Sequence, residues 1–153
     1  MYKQILVAVD GSRSGRRALD EAVKIAKATG GKIEALCVVR HPARLVDVSS
    51  GFAEEQTRHS AENDAATAAL EEAKTVFAQA QVPGSTRAAD ASGEEVAAVI
   101  ARIAAEEEAD LVVMGTRGLS GMKRILLGSV AESFLRMADR PVMLVRAEET
   151  PAA

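Results

Sequence analysis

Tryptophan is absent from this chain, and Tyr2, at the very start, is its only tyrosine. The sequence therefore offers little aromatic surface for stacking a flavin. A single cysteine excludes an internal disulfide, and Cys37 sits in an apolar run, Leu36-Cys37-Val38-Val39, that marks it as a small buried hydrophobe rather than a nucleophile. The two histidines, His41 and His59, are isolated in polar surroundings and expected at the surface. No histidine or cysteine cluster has the spacing of metal ligands. Basic excess is missing too: the net charge is −3, which argues against a general nucleic-acid binder. No apolar run approaches the ~20 residues that cross a bilayer. Met1-Tyr2-Lys3-Gln4 leads directly into a strand pattern without the layout of a signal peptide. These absences predict a soluble, cytoplasmic protein with no membrane and no nucleic-acid partner.

What remains is an ordinary globular composition, 48% hydrophobic over 153 residues, enough for one domain with a proper core. Ile5-Leu6-Val7-Ala8-Val9 is apolar without alternation, as in a strand covered on both faces. A helical stripe follows at Ala18, Leu19, Ala22, Ile25, Ala26 and Thr29, and Gly30-Gly31 ends it. A second buried strand is expected from Ile33 to Val39, then a loop over 40–52, where His41-Pro42 and Ser49-Ser50-Gly51 break periodicity. A long helix over 53–81 faces inward through Ala66, Leu70, Ala73, Phe77 and Ala80. Ser85-Thr86-Arg87-Ala88-Ala89 reads as a short polar edge strand. Ser92 and Glu95 suggest a capping box for a helix with its stripe at Val96, Val99, Ile100 and Ile103. Asp110-Leu111-Val112-Val113-Met114 is the fourth strand. A helix over 129–139 presents Val130, Ala131, Phe134, Leu135 and Ala138, and Pro141 admits a last strand at Val142-Met143-Leu144-Val145. The domain is expected to span 1–147, with a loose polar tail over 148–153.

Strands and helices alternate throughout, which predicts a single open parallel five-stranded α/β sheet, doubly wound, in the order 3-2-1-4-5. Ligands of such sheets bind beyond the C-terminal strand ends, where the order reverses. That places Asp10 and Gly115 side by side.

The glycines around this point have a chemical reading. Gly115-Thr116-Arg117-Gly118 follows a strand, and Gly128-Ser129 opens a helix. Phosphate oxygens must approach backbone amides closely, and a Cβ at those positions would hold them off. The first amides of the helix lack internal partners and lie at the positive end of its dipole. Lys123 and Arg124 could add charge from the intervening loop. Each residue also has a plainer role. Ser129 and Glu132 spell a capping box that would satisfy the same amides without a ligand. Asp10 could accept hydrogen bonds from ribose hydroxyls or hold a water of a magnesium ion, but Asp10 or Ser12 could merely cap the first helix. Val38 could wall a base or be generic core. Walker A and G-x-G-x-x-G patterns are absent. A phospho-acceptor receiver would need a paired acidic cluster at the first strand, where only Asp10 stands, and Asp90 is a poor candidate acceptor.

The stretches Ile5-Leu6-Val7-Ala8-Val9-Asp10-Gly11-Ser12, Val113-Met114-Gly115-Thr116-Arg117-Gly118, Leu127-Gly128-Ser129-Val130-Ala131-Glu132 and Arg140-Pro141-Val142-Met143-Leu144-Val145 resemble the universal stress protein family. The spacing G-x2-G-x9-G-[ST] is similar to that of its ATP-binding branch. The resemblance implies ATP as ligand, able to bring Mg2+ with it. It implies that Ala8, Val9, Asp10, Val38 and Met114 line the adenosine side, and that Gly115, Gly118, Gly128, Ser129 and Val130 surround the phosphates. It also implies a dimer.

A homodimer is expected independently from the flat apolar edge at Val142 to Val145, which pairing with its own copy over 141–146 would cover. The expected function is nucleotide-dependent regulation. Slow ATP hydrolysis or self-phosphorylation and a non-binding dimeric scaffold are the alternatives. No residue is placed as a dedicated base, so no catalytic and no metal-binding residues are assigned.

Overall fold

Apolar runs too short for helices and rich in β-branched residues become the strands of the sheet, and the striped segments between them become crossover helices. The structure, a computed structural model, describes residues 1–40, 52–117 and 127–147, apart from the side chains of 52–62. Along the chain lie β1 (Gln4–Ala8), α1 (Arg13–Thr29), β2 (Lys32–Val39), α2 (Phe52–Ala80), β3 (Gly84–Asp90), α3 (Val96–Glu106), β4 (Leu111–Gly115), α4 (Ser129–Met137) and β5 (Val142–Val145). The strands form one sheet in the order β3-β2-β1-β4-β5, every neighbouring pair parallel. The order reverses between β1 and β4.

Each face of the sheet has its own core. Ile5, Val7 and Val9 of the β1 segment pack with Ala18, Leu19, Ala22 and Ala26 of α1 and with Ala66, Ala69, Ala73 and Phe77 of α2. Leu6, Leu36 and Val112 point the other way, into Val99, Ile100 and Ile103 of α3 and Ala131 and Phe134 of α4. The alternation of strand side chains thus divides one apolar run between two helix layers. Leu135 departs from the expected inward stripe and is 43% exposed: α4 buries Ala131 and Phe134 fully and packs Val130 partly against the same core, which leaves Leu135 at the margin of that face.

Helix boundaries follow local chemistry in part. Ser12 caps α1 by accepting from the Gly15 amide at 3.1 Å, and Gly30 ends it in the left-handed region at φ 71°, where glycine has no Cβ penalty. The expected capping box at Ser92 and Glu95 does not form. Glu95 precedes α3 without a side-chain cap, while Ser92 turns left-handed at φ 50° and gives its amide to Asp90 Oδ1 at 2.8 Å. Arg140 secures the far end of α3, donating to the carbonyls of Ala104 at 2.9 Å and Ala109 at 2.8 Å.

β3 is longer than the polar pattern suggests, pairing with β2 from Gly84 to Asp90. Arg87 bridges from it to Glu106 at 3.3 Å and Glu107 at 3.1 Å. Beneath this bridge lies a residue the sequence does not flag. Glu34 is buried in β2 with Oε2 unpartnered. Its carboxyl is pushed up first by burial and then by Glu107, against Arg87 and Lys32. It lies near the start of β2, at the opposite end of the sheet from the switch point. The loop over 41–51 and the tail over 148–153 lie outside the described residues.

Candidate functional site

The site is assembled by strand register. Val7 pairs with Val113 and Ala8 with Leu36, so β1 and β4 end side by side at the reversal while β2 runs on to Val39. Asp10 leaves β1 there, half-buried, and its Oδ1 accepts the Ser12 amide at 2.9 Å. Between them Gly11 adopts φ 85°, which a residue with a Cβ adopts rarely. Ser12 provides the helix cap, so Asp10 is held by the turn without itself capping α1.

Among the residues predicted for the nucleoside side, Ala8, Val38 and Met114 share one apolar cluster with Leu127 and Val130 from the start of α4. Met114 is buried, while Ala8, Val38 and Val130 are half-buried. All belong to the core on that face of the sheet. Val9 faces the opposite core, with Ala18 and Leu19, so any contact it makes at this crevice runs through its main chain.

On the phosphate side, the backbone brings Gly115 and Gly128 to the same place. Thr116 donates its amide to the Val145 carbonyl at 3.0 Å, and the Gly128 amide donates to the Thr116 carbonyl. The connection between β4 and α4 is therefore closed at its base. Gly128 stands at the N-cap of α4 without any side-chain hydrogen bond to the first turn, and Ser129 is exposed. The capping box expected of Ser129 and Glu132 is not made. Glu132 instead pairs with Arg136 one turn later, at 2.8 Å, an exposed i,i+4 geometry that draws the carboxylate along the helix surface. No side chain among the described residues caps the leading amides of α4, which keep the anion-attracting character of a free helix start. Gly118, Lys123 and Arg124 lie outside the described residues, as does His41.

Gly115 has a second reason to be glycine. A Cβ there would stand 2.3 Å from Ser14 Oγ and 2.6 Å from the Ser14 carbonyl carbon. Its bareness admits the first turn of α1 against the end of β4. Ser14 went unnoticed in the sequence because a serine beside a helix start reads as a redundant cap. The signal that could have found it is Ser12-x-Ser14: one serine suffices for capping.

Cys37, close by on β2, is 5% exposed, and its thiol is pushed up to about 11 by burial and then by the Asp10 charge. A thiol so held stays protonated at neutral pH and is not a nucleophile. No group of three or more His, Cys, Asp or Glu residues able to hold a metal occurs among the described residues. No helix among them is long and apolar enough to cross a membrane.

The fold is that of a doubly wound parallel α/β protein, and in such sheets ligands bind at the strand switch point, which here lies between the Asp10 turn and the start of α4. Comparison with known proteins places it further. The chain belongs to the universal stress protein family, whose model matches residues 1–146. A Staphylococcus aureus (strain USA300) protein of the family is 35% identical over 153 residues, covering 99% of this chain and 88% of that protein. Universal stress protein UspA from Lactobacillus plantarum superposes with a TM-score of 0.81 at 26% identity, covering 95% of this chain and 98% of that one. A universal stress protein solved in complex with cAMP superposes with a TM-score of 0.70 at 28% identity, covering 96% of this chain and 99% of that one.

Proposed function

We propose that this chain binds an adenine nucleotide, ATP foremost, at the β1/β4 switch point and acts as a nucleotide-dependent regulatory protein of stress response. The observation that carries this reading is the uncapped N-terminus of α4, tied by the Gly128 amide to the Thr116 carbonyl at the mouth of the crevice. Backbone amides there suit the anionic phosphates. Ala8, Val38 and Met114 form the apolar wall for the base, with Val9 contributing its main chain. Asp10 accepts from the ribose hydroxyls. Gly115, Gly128, Ser129 and Val130 bring main chain to the phosphates, Gly118 being assigned with them by the sequence pattern alone, and Mg2+ would be held chiefly by those phosphates, with Asp10 reaching it through water. The relative solved with cAMP supports an adenine compound in this family.

The test is equilibrium titration of the purified protein with adenosine, AMP, ADP, ATP and cAMP. ATP binds in the micromolar range or tighter, and Asp10→Ala weakens it about tenfold by removing a charge-assisted hydrogen bond. No heat with any adenine compound would overturn the reading. Phosphate release stays at background in parent and variant alike, since no described residue is placed to activate water. An Asp10-dependent release would instead establish a slow ATPase.

The oligomer proposed is a homodimer through β5. This strand ends the sheet, and Val142, Met143 and Leu144 are only half-buried, while Leu135 and Met137 on the preceding helix are 43% and 39% exposed. Antiparallel pairing about a twofold axis would cover the open edge and bury these side chains. Sedimentation equilibrium at micromolar concentration should give twice the 16.1 kDa chain mass. A monomer would refute it.

A further inference from the structure

One buried side chain of α1 reaches across to the base of the β4–α4 connection. Ser14 is 2% exposed, and its hydroxyl engages both backbone groups of Arg117. It donates to the Arg117 carbonyl and accepts the Arg117 amide at 3.3 Å. Ser12 Oγ adds a longer contact, 3.4 Å, to the same carbonyl. Arg117 is the residue at which the chain leaves for 118–126, and the glycine two positions before it is what makes room for Ser14.

This pairing is more than a helix cap. Serines in a first helical turn commonly bond their own backbone, but Ser12 already accepts from Gly15, which leaves the Ser14 hydroxyl for the neighbouring segment. A hydroxyl taken this far from water must be paired or it destabilises the fold. Here its partners are the amide and carbonyl of a single residue, which belong to the two successive peptide groups flanking the Arg117 Cα, so it constrains the backbone turn at Arg117 and not merely its distance. Asp10 hangs from the same turn through the Ser12 amide. One turn of α1 therefore holds both halves of the crevice in mutual register.

We propose that Ser14 is a positioning residue of the anion site: its hydroxyl fixes the main chain at Arg117, next to the Thr116 carbonyl that holds the Gly128 amide at the start of α4, so that affinity for the phosphate chain, and not for the nucleoside, depends on it. This rests on the nucleotide reading above. Ser14 touches no ligand in this role; it acts through Arg117. A merely stabilising serine would affect all ligands alike, whereas a positioning serine affects them according to phosphate content.

The experiment uses the full chain and Ser14→Ala, titrated with adenosine and with ATP, together with amide exchange at Arg117. ATP affinity falls about tenfold and adenosine affinity stays within about twofold, the loss corresponding to one or two neutral hydrogen bonds. Exchange at Arg117 accelerates about tenfold in the unliganded variant. Equal losses for adenosine and ATP, or unchanged ATP affinity, would overturn the assignment. An arm without mutation guards against a variant that folds poorly: in the parent, saturating ATP slows exchange at Arg117 and saturating adenosine does not, and an equal effect of both would overturn it as well. A parent that binds neither compound sinks the nucleotide reading and this role with it. A parent that binds ATP and a variant that matches it sink the Ser14 role alone.

Discussion

Gly128→Arg loses at least about 100-fold in ATP affinity, some 2.7 kcal/mol, while the protein stays folded. The backbone at Gly128 lies at φ −68° and ψ 160°, an extended conformation open to any residue, so the substitution brings no main-chain strain. Nor does it remove a cap, since Gly128 offers no side chain to the first turn. The cost to the fold is that of a cation at a helix N-terminus, about 0.3–1 kcal/mol, or roughly 1–4 °C in midpoint. The arginine side chain would occupy the space in front of the leading α4 amides, where phosphates would lie. Calorimetric titration beside a thermal melt checks both halves. A variant that held ATP as tightly as the parent would move the phosphates away from α4.

Gly115→Ala behaves in the opposite way, lowering stability before any ligand is considered. The added methyl would stand 2.6 Å from a backbone atom of Ser14, and a backbone atom cannot swing aside as a side-chain tip can. Helix α1 must shift from the end of β4. Overpacking of this kind costs about 3 kcal/mol, or roughly 6–12 °C in thermal midpoint for a chain of this size. Because the shift also breaks the Ser14 contacts to Arg117, nucleotide affinity falls with it. Unfolding the unliganded protein discriminates the two reasons for the glycine. If Gly115 served phosphate approach alone, the unliganded variant would melt with the parent.

The layout of the sheet was legible because burial on both faces leaves a plain mark, an unbroken apolar run such as Ile5-Leu6-Val7, and because alternating strands and helices admit few topologies. The Gly30 stop and the inward stripe of α2 were legible for similar local reasons. The capping boxes were not. Ser129-x-x-Glu132 and Ser92-x-x-Glu95 have the right letters, yet Glu132 turns to Arg136 and Ser92 is drawn into the Asp90 turn. A short polar side chain chooses among several partners of similar strength, and its neighbours in space decide among them. Leu135 was misplaced because helical periodicity fixes which residues share a face, but not how wide a face the sheet will cover. Glu34 escaped notice because a charged residue in a strand is normally at an exposed face.

By itself, then, the order of residues determined the succession of elements, their parallel arrangement, and the point at which the strand order reverses, since these follow from periodicity and chain connectivity. Only the tertiary structure decided how the residues around that point are held. It gave Gly115 its fit against Ser14, turned the side chain of Val9 to the opposite core, put the bare Gly128 rather than Ser129 at the N-cap of α4, and joined Gly128 to Thr116. The fit at Gly115 depends on contacts between segments about a hundred residues apart in sequence, for instance Ser14 with Arg117, and no local pattern encodes which groups will meet across that distance.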